Sequence, residues 1–168
     1  MTKPLLPLFF IGAFILGISS CKYSNEYQTI NVKNKFSLAV PGWMKEEDKL
    51  ALNAAFQYAN RFRNFYSVAF VSEKDKPFQL YVQTNLDSLK AYLKNPLLSD
   101  SAAVQPNGAN GVRAEVFGKM NNENIYFSEE FINGKNSYYH ISVWTRGEER
   151  KLHFKEDINR ILNSFKEI

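Results

Sequence analysis

Hydrophobic and polar residues alternate along several short stretches of the chain, which is the pattern of β-strands with one buried face. Phe36, Leu38 and Val40 alternate with smaller residues before Pro41 ends the run. The pattern predicts strands at residues 29–32, 36–40, 53–60, 65–72, 112–117, 124–132 and 137–144. The first part of 53–60 would also suit a helix, but its alternating aromatic residues favour a strand. The chain is therefore expected to be rich in β-sheet.

The last two predicted strands are joined by Asn133-Gly134, a strong hairpin signal. A two-residue turn would place Phe127 on the same sheet face as His140. A three-residue turn with a bulge at Gly134 would instead place Phe127 with Ile141. We favour the bulged turn because it collects the following hydrophobic residues on one face: Ile125, Phe127, Phe131, Tyr139, Ile141 and Val143.

Two stretches have helical periodicity. Between Pro77 and Pro96, hydrophobic residues at helical spacing predict a helix at residues 78–93. Residues 145–148, a Thr followed three residues later by Glu, match a capping box and predict a final helix at 149–166. Its hydrophobic stripe is expected to cover the last three strands and consists of Phe154, Ile158, Ile161, Leu162 and Phe165.

Residues 97–110 (LLSDSAAVQPNGAN) form a long connection that contains Ser, Asp, Pro, Asn and Gly. Loops of this length are uncommon unless they are functional or disordered. Two interpretations therefore stay open for this segment, a variable binding loop and a disordered connection.

The order of these elements resembles the PsbP-like fold. The resemblance covers about residues 27–168 and is carried by FSLAVP at 36–41, Trp43, the mid-chain helix, the three-strand meander and ILNSFK at 161–166. It implies an α+β domain in which an antiparallel β-sheet is packed between helices, an α-β-α sandwich. Members of this fold act mostly by binding other proteins. The functional motifs of the photosystem and GTPase-binding branches have no match here, so neither activity is expected.

The N-terminus has the layout of a secretory signal peptide, with Lys3, an apolar run at residues 5–18 and then ISSC at 18–21. The run is shorter than the roughly 20 residues that a membrane-spanning helix needs. Residues 18–21 resemble a bacterial lipobox. This resemblance implies that the chain is cut before Cys21, whose thiol receives a diacylglyceryl group and whose new amino group is acylated, with palmitate as a typical fatty acid.

The predicted organisation has three parts: a lipoprotein signal peptide at 1–20, a lipidated Cys with its tether at 21–28, and a PsbP-like domain at 29–168. The membrane is therefore an expected partner through the lipid on Cys21. In enteric bacteria an Asp after the Cys marks retention at the inner membrane. Lys22 stands there in this chain, and the resemblance thus favours an outer membrane location facing the periplasm.

Charge and cysteine content exclude two kinds of site. The formal net charge of +4 is spread along the chain, and Glu148 and Glu149 interrupt the largest basic cluster at 146–151. The chain lacks the basic stripe of a nucleic-acid-binding surface, so no nucleic-acid partner is expected. Cys21 is the only cysteine, which excludes a disulfide and a thiolate metal site.

Few residues suggest catalysis. His140 and His153 are the only histidines, and neither HExxH nor an EF-hand pattern is present, so no metal and no other cofactor is predicted. There is no GxSxG motif for a serine nucleophile. Glu129 and Glu130 are neighbours on a strand, point to opposite faces and cannot act as a carboxylate pair. Glu73 follows a buried strand and is either an acid with a raised pKa or a solvent-exposed charge.

Two functional classes remain. The first is a lipid-anchored, non-catalytic binding or assembly module with an envelope protein partner. Because aromatic and arginine residues dominate binding hot spots, its contacts are expected at Trp43, Arg61 and Arg63, although Trp43 also suits the core. Glu73 and His140 are further candidate binding residues. The alternative is an envelope hydrolase with an unrecognised site, which a deep polar cleft around Glu73 or His140 would favour.

Overall fold

The computed structural model describes residues 26–99 and 101–168. The predicted signal peptide and Cys21 lie outside the described residues. In the described part the strands are β1 (Tyr27–Val32), β2 (Phe36–Pro41), β3 (Lys45–Glu46), β4 (Phe56–Asn60), β5 (Phe65–Ser72), β6 (Lys94–Leu98), β7 (Ala102–Val104), β8 (Asn110–Met120), β9 (Glu123–Asn133), β10 (Tyr138–Arg146) and β11 (Lys166–Glu167). The helices are α1 (Phe78–Ala91), α2 (Glu148–His153) and α3 (Lys155–Asn163), and Pro106–Gly108 form a 3-10 turn.

The strands form two antiparallel sheets. The large, eight-stranded sheet has the order β3-β4-β5-β10-β9-β8-β6, and β7 also pairs with β8. The small sheet has the order β1-β2-β11. Helix α1 packs on one face of the large sheet, whereas α3 and the small sheet pack on the other. The predicted α+β architecture, an antiparallel sheet between helices, is thereby confirmed.

The large sheet separates two hydrophobic cores because successive residues of a strand point to opposite faces. Ile141 and Val143 of β10 lie in the core on the α3 face, while Tyr138 of the same strand lies in the core on the α1 face. The predicted stripe of the last helical segment is buried in the first core at every position: Phe154, Ile158, Ile161, Leu162 and Phe165. This segment therefore covers the meander as expected.

The prediction of a bulged turn between β9 and β10 is wrong. Asn133 pairs with Tyr138, so residues 134–137 form a four-residue loop. Because this number is even, the side chains of β9 and β10 lie on the same sheet faces as they would after a two-residue turn. Phe127 therefore pairs with Trp144 and lies on the His140 face. A side chain at Gly134 would come within 2.5 Å of the Tyr139 ring, so the turn depends on glycine for this close approach.

The final helix also differs from its prediction. Thr145 does not cap it but belongs to β10, and Gly147, with a φ of +86°, turns the chain into α2. A break at Phe154 separates α2 from α3, which ends before the predicted residue 166. The break directs the Phe154 ring towards Trp43 and Phe65, at centroid distances of 5.6 and 5.0 Å. Packing of this ring thus interrupts the helical pattern.

Residues 97–110 do not form one long loop. Strands β6 and β7 pair with the outer side of β8, and the 3-10 turn follows. The β6 pairing is irregular: its register shifts between Lys94 and Leu97, and Pro96 between them has no N–H to donate. The amide of Asn107 donates to the carbonyl oxygen of Phe165 at 2.6 Å and fastens the turn to the segment after α3.

Candidate functional site

A cavity of about 550 Å³ lies between α1 and the sheet face that this helix covers. We call it the α1 cavity. Its lining comes from α1, β5, β8, β9, β10 and the segment before β4, and consists of Leu50, Ala51, Val68, Phe70, Asn85, Ser88, Leu89, Tyr92, Met120, Phe127, Glu129, His140, Ser142 and Trp144. The backbone N–H groups of Leu50 and Ala51 donate to Oε1 of Gln57 at 2.8 and 3.0 Å, which fixes this segment at the cavity.

Three polar residues form a hydrogen-bonded cluster in the α1 cavity. Glu129 on β9 pairs directly with Ser142 on β10, and His140 lies two residues away on the same face. Ser142 Oγ donates to Glu129 Oε1 at 2.6 Å, and His140 Nε2 hydrogen bonds to Glu129 Oε2. Glu129 is only 1% exposed. Both carboxyl oxygens of Glu129 therefore have a partner, as buried polar atoms require.

Aromatic rings surround this cluster. The His140 ring is stacked on Phe131 and Phe70, at centroid distances of 4.4 and 5.5 Å. Trp144 stacks on Phe127 at 5.7 Å, and Tyr92 at the end of α1 is 78% exposed. The cavity thus combines apolar walls with one polar cluster, the usual composition of a small-molecule site.

Trp43 and Arg63 lie on the other face of the sheet. The Trp43 ring packs against the core, and the guanidinium of Arg63 is 4.5 Å from its centroid. Both line a cavity of about 310 Å³, the β1-end cavity, together with Tyr27, Pro41, His153, Phe154, Glu156, Asp157 and Arg160. The Arg160 guanidinium lies 3.8 Å from the Tyr27 ring centroid. Burial and a hydrogen bond to Asp157 raise the pKa of Tyr27.

The other two predicted contact residues stand apart from the α1 cavity. Arg61, in the turn between β4 and β5, donates two hydrogen bonds to Glu47 at 3.0 and 2.9 Å. These bonds hold the pKa of Glu47 below its usual value. Glu73 is exposed just after β5. The five residues predicted from the sequence are therefore distributed over several places, and only His140 lines the α1 cavity.

The sequence did not reveal the partner of His140. Alternation places Glu129 and Glu130 on opposite faces, and the structure confirms this. However, the bulged turn that we favoured moves β9 out of step with β10, which takes Glu129 away from the His140 face. The alternative of a two-residue turn places Glu129, His140 and Ser142 on one sheet face, as observed, and would have revealed this cluster.

Glu130 is buried on the opposite face and pairs with Arg113 of β8. Arg113 Nε donates to Glu130 Oε2 at 2.7 Å, and Nη2 reaches the same oxygen. Nη2 also donates to Asn163 Oδ1 at 2.8 Å, which links the pair to the end of α3. Burial raises the pKa of Glu130, while the Arg113 charge acts in the opposite direction. This pair has a structural role between the sheet and α3.

Two further observations concern residues 26–99 and 101–168 alone. No group of three or more His, Cys, Asp or Glu side chains is placed there to hold a metal ion. No helix there is long and apolar enough to cross a membrane.

No protein-family model matches the sequence, and no curated protein does. Solved structures do match. The cyanobacterial PsbP (CyanoP) of Synechocystis sp. PCC 6803 aligns with a TM-score of 0.65 at 12% identity, over 91% of this chain and 99% of that one. The Ran-binding protein Mog1p of Saccharomyces cerevisiae aligns with a TM-score of 0.59 at 12% identity, over 85% and 96%.

LpqN of Mycobacterium tuberculosis, which is involved in cell envelope biogenesis, also aligns, with a TM-score of 0.59 at 12% identity over 84% of this chain and 90% of that one. Identities this low are informative about the fold alone. The matches extend over nearly the whole length of each neighbour. The chain therefore has the PsbP-like fold that it shares with CyanoP, Mog1p and LpqN.

Proposed function

We propose that the protein is a non-catalytic binding module of the bacterial cell envelope, anchored by lipid on Cys21, with the α1 cavity as its ligand site. The cavity is the observation that carries the binding role. Its volume of about 550 Å³ suits a small molecule. The aromatic walls would hold an apolar body, and the cluster around His140 would orient one or two polar atoms of the ligand.

The polar cluster favours binding over catalysis because its hydrogen bonds are made within the cluster. Ser142 Oγ donates to Glu129, whereas a serine nucleophile activated by histidine needs its hydroxyl on the imidazole. The cluster also lies in the interior of the sheet, where β10 pairs with β5 on one side and β9 on the other. These pairings engage the backbone N–H groups that an oxyanion site would need.

The proposed location rests on the lipobox at residues 18–21 and on Lys22, which favour an outer membrane location facing the periplasm. Two structural neighbours support a binding role in such a place, since Mog1p is a Ran-binding protein and LpqN is involved in cell envelope biogenesis. We therefore also propose an envelope protein partner, for which exposed Glu73 is one of the proposed contacts.

The ligand site is tested with Nile red, a neutral dye with an apolar aromatic body and polar acceptor atoms. Ser88 is exposed on α1 and lines the α1 cavity. Ser88→Trp is expected to fill the cavity and abolish the saturable rise in dye fluorescence that the unmodified protein gives. Gln83→Trp is the matched control because Gln83 is also exposed. With a helix rotation of about 100° per residue, it lies on the side of α1 that faces away from the cavity. Equal dye binding by the two variants would contradict the assignment.

Lipidation is tested by metabolic labelling with a radioactive or clickable fatty acid. Cys21→Ala is expected to abolish acyl labelling and to release the protein from the membrane fraction, because several acyl chains anchor a protein far more stably than a single one. Ser24→Ala, in the same tether, serves as the control and should label normally. Labelling that persists in Cys21→Ala would overturn the lipid anchor.

One observation favours the hydrolase alternative: Ser142 and His140 are both hydrogen bonded to Glu129 at a cavity. These three polar residues do not lie in a polar cleft, because most of the residues that line the α1 cavity are apolar. We expect no turnover when the purified protein is assayed with nitrophenyl esters and a panel of peptide and phosphate substrates. Turnover that disappears in both Ser142→Ala and Glu129→Gln would replace the binding proposal by the hydrolase.

A further inference from the structure

The start of β1 and the turn between β4 and β5 lie at the same end of the molecule. Tyr27 and Arg63 both line the β1-end cavity, so the two segments are neighbours. Tyr27 is six positions after Cys21, and six fully extended residues span at most about 20 Å. Given the lipid anchor of the proposed function, this end of the molecule is held close to the membrane.

This end also exposes hydrophobic side chains. Phe62, in the turn between β4 and β5, is 99% exposed and is flanked by Arg61 and Arg63. Leu152 on α2 is 68% exposed and directly precedes His153, which lines the β1-end cavity. Burial of such groups is favourable, and within the described chain these two side chains remain largely exposed to solvent.

The chemistry around Phe62 fits a phospholipid surface. Aromatic rings are favoured at the boundary between headgroups and acyl chains. Arginine is also a residue that suits phosphate groups, and Arg61 and Arg63 directly precede and follow Phe62 in the chain. Phe62 therefore suits the boundary with the acyl chains, and the two neighbouring arginines suit the phosphate layer above it.

We infer that the end of the molecule at which β1 begins lies against the phospholipid surface, with the Phe62 ring inserted below the headgroups. Arg61 and Arg63, which respectively pair with Glu47 and stack on Trp43 within the protein, then lie at the level of the headgroups. The inference rests on the proposed lipid anchor. One ring and two arginines bind a membrane weakly from solution, but a short tether keeps them at high effective concentration. In this orientation β4 leads away from the membrane, and the segment containing Leu50 and Ala51 at the α1 cavity lies on the aqueous side.

The test uses full-length, lipidated protein in vesicles of phosphatidylethanolamine and phosphatidylglycerol, with and without acyl chains brominated near the headgroup. Phe62→Trp and Leu52→Trp are compared. Leu52 is the matched control because it is 88% exposed but precedes β4, whereas Phe62 follows it. Strand β4, whose five residues rise by about 16 Å, lies between the two positions in the chain. Trp43 and Trp144 contribute the same background to both variants.

We expect tryptophan at position 62 to shift its emission to the blue in vesicles and to be quenched by the brominated lipid several-fold more than tryptophan at position 52. Equal quenching of the two variants, with the acyl chains on Cys21 verified by mass spectrometry, would overturn the orientation and leave the anchor standing. Absence of the acyl mass would instead overturn the anchor and the inference with it. A blue shift in native membranes but not in lipid vesicles would assign this end to a protein partner and contradict the inference.

Discussion

Phe165→Ala is expected to lower the free energy of unfolding by about 3–5 kcal/mol, the cost of removing a large aromatic side chain from a core. The Phe165 ring is fully buried and contacts the rings of Phe36 and Tyr139 at centroid distances of 5.8 and 4.9 Å. It thus joins the segment after α3 both to β2 of the small sheet and to β10 of the large sheet. Loss of the ring leaves a cavity where these three elements meet.

This effect is measured by urea unfolding followed by intrinsic fluorescence. Phe62→Ala is the matched control because its ring is exposed, and a change within about 0.5 kcal/mol is expected for such a surface substitution. If the two variants lost the same stability, the contact of the final segment with the sheet would not be the one described.

Arg113→Met is expected to cost about 3–5 kcal/mol at neutral pH, because removal of one partner leaves the other charge buried and unpaired. Glu130 is fully buried, and its ion-pairing partner among the described residues is Arg113. The long apolar side chain of methionine retains most of the packing of the arginine stem. The loss therefore reports mainly on the carboxylate, and urea unfolding is again the measurement. A loss below about 1 kcal/mol, the range of exposed ion pairs, would contradict the buried pairing.

The cost of Arg113→Met should also depend on pH. Burial raises the pKa of Glu130 in the folded protein. A raised pKa favours folding below the pKa of the unfolded chain, and this contribution is lost as the pH rises through the folded value. Without Arg113 the folded-state pKa rises further, so the variant should lose more stability at about pH 7 than at about pH 4. The double variant Arg113→Met, Glu130→Leu should regain stability and show a much smaller pH dependence, whereas equal costs at both pH values would refute this explanation.

Features determined by neighbouring residues in the sequence could be predicted. Alternation located the longer strands β1, β2, β4, β5, β8, β9 and β10 but not the short or irregular β3, β6, β7 and β11. Helical spacing identified the stripe that includes Ile158 and Leu162, because local periodicity reflects which side is buried. The same alternation correctly separated Glu129 from Glu130. Their partners could not be predicted, because His140 and Arg113 lie on two different neighbouring strands and the pairing depends on the register.

The incorrect predictions have one physical cause in common. In each case, contacts between residues far apart in the sequence outweigh the structural preference of the local sequence. The loop after Asn133 has an even number of residues, and this alone decides which face Phe127 occupies. The helical pattern at the end of the chain is interrupted because the Phe154 ring packs beside Trp43. Residues 97–110 have a composition typical of a loop, and pairing with β8 gives residues 97–98 and 102–104 their strand conformation.

The irregular β6 has a consequence under the lipid anchor that we propose. Copies held in one membrane plane meet often, and an exposed strand edge is a template for pairing between them. At one edge of the large sheet β3 offers only two residues, and at the other β6 combines Lys94, a residue with left-handed backbone at Asn95, and Pro96. In the described part of the chain, neither β3, the interrupted β6 nor the three-residue β7 offers a second copy a long continuous row of donors and acceptors. The sheet is thus protected against growing from one molecule into the next.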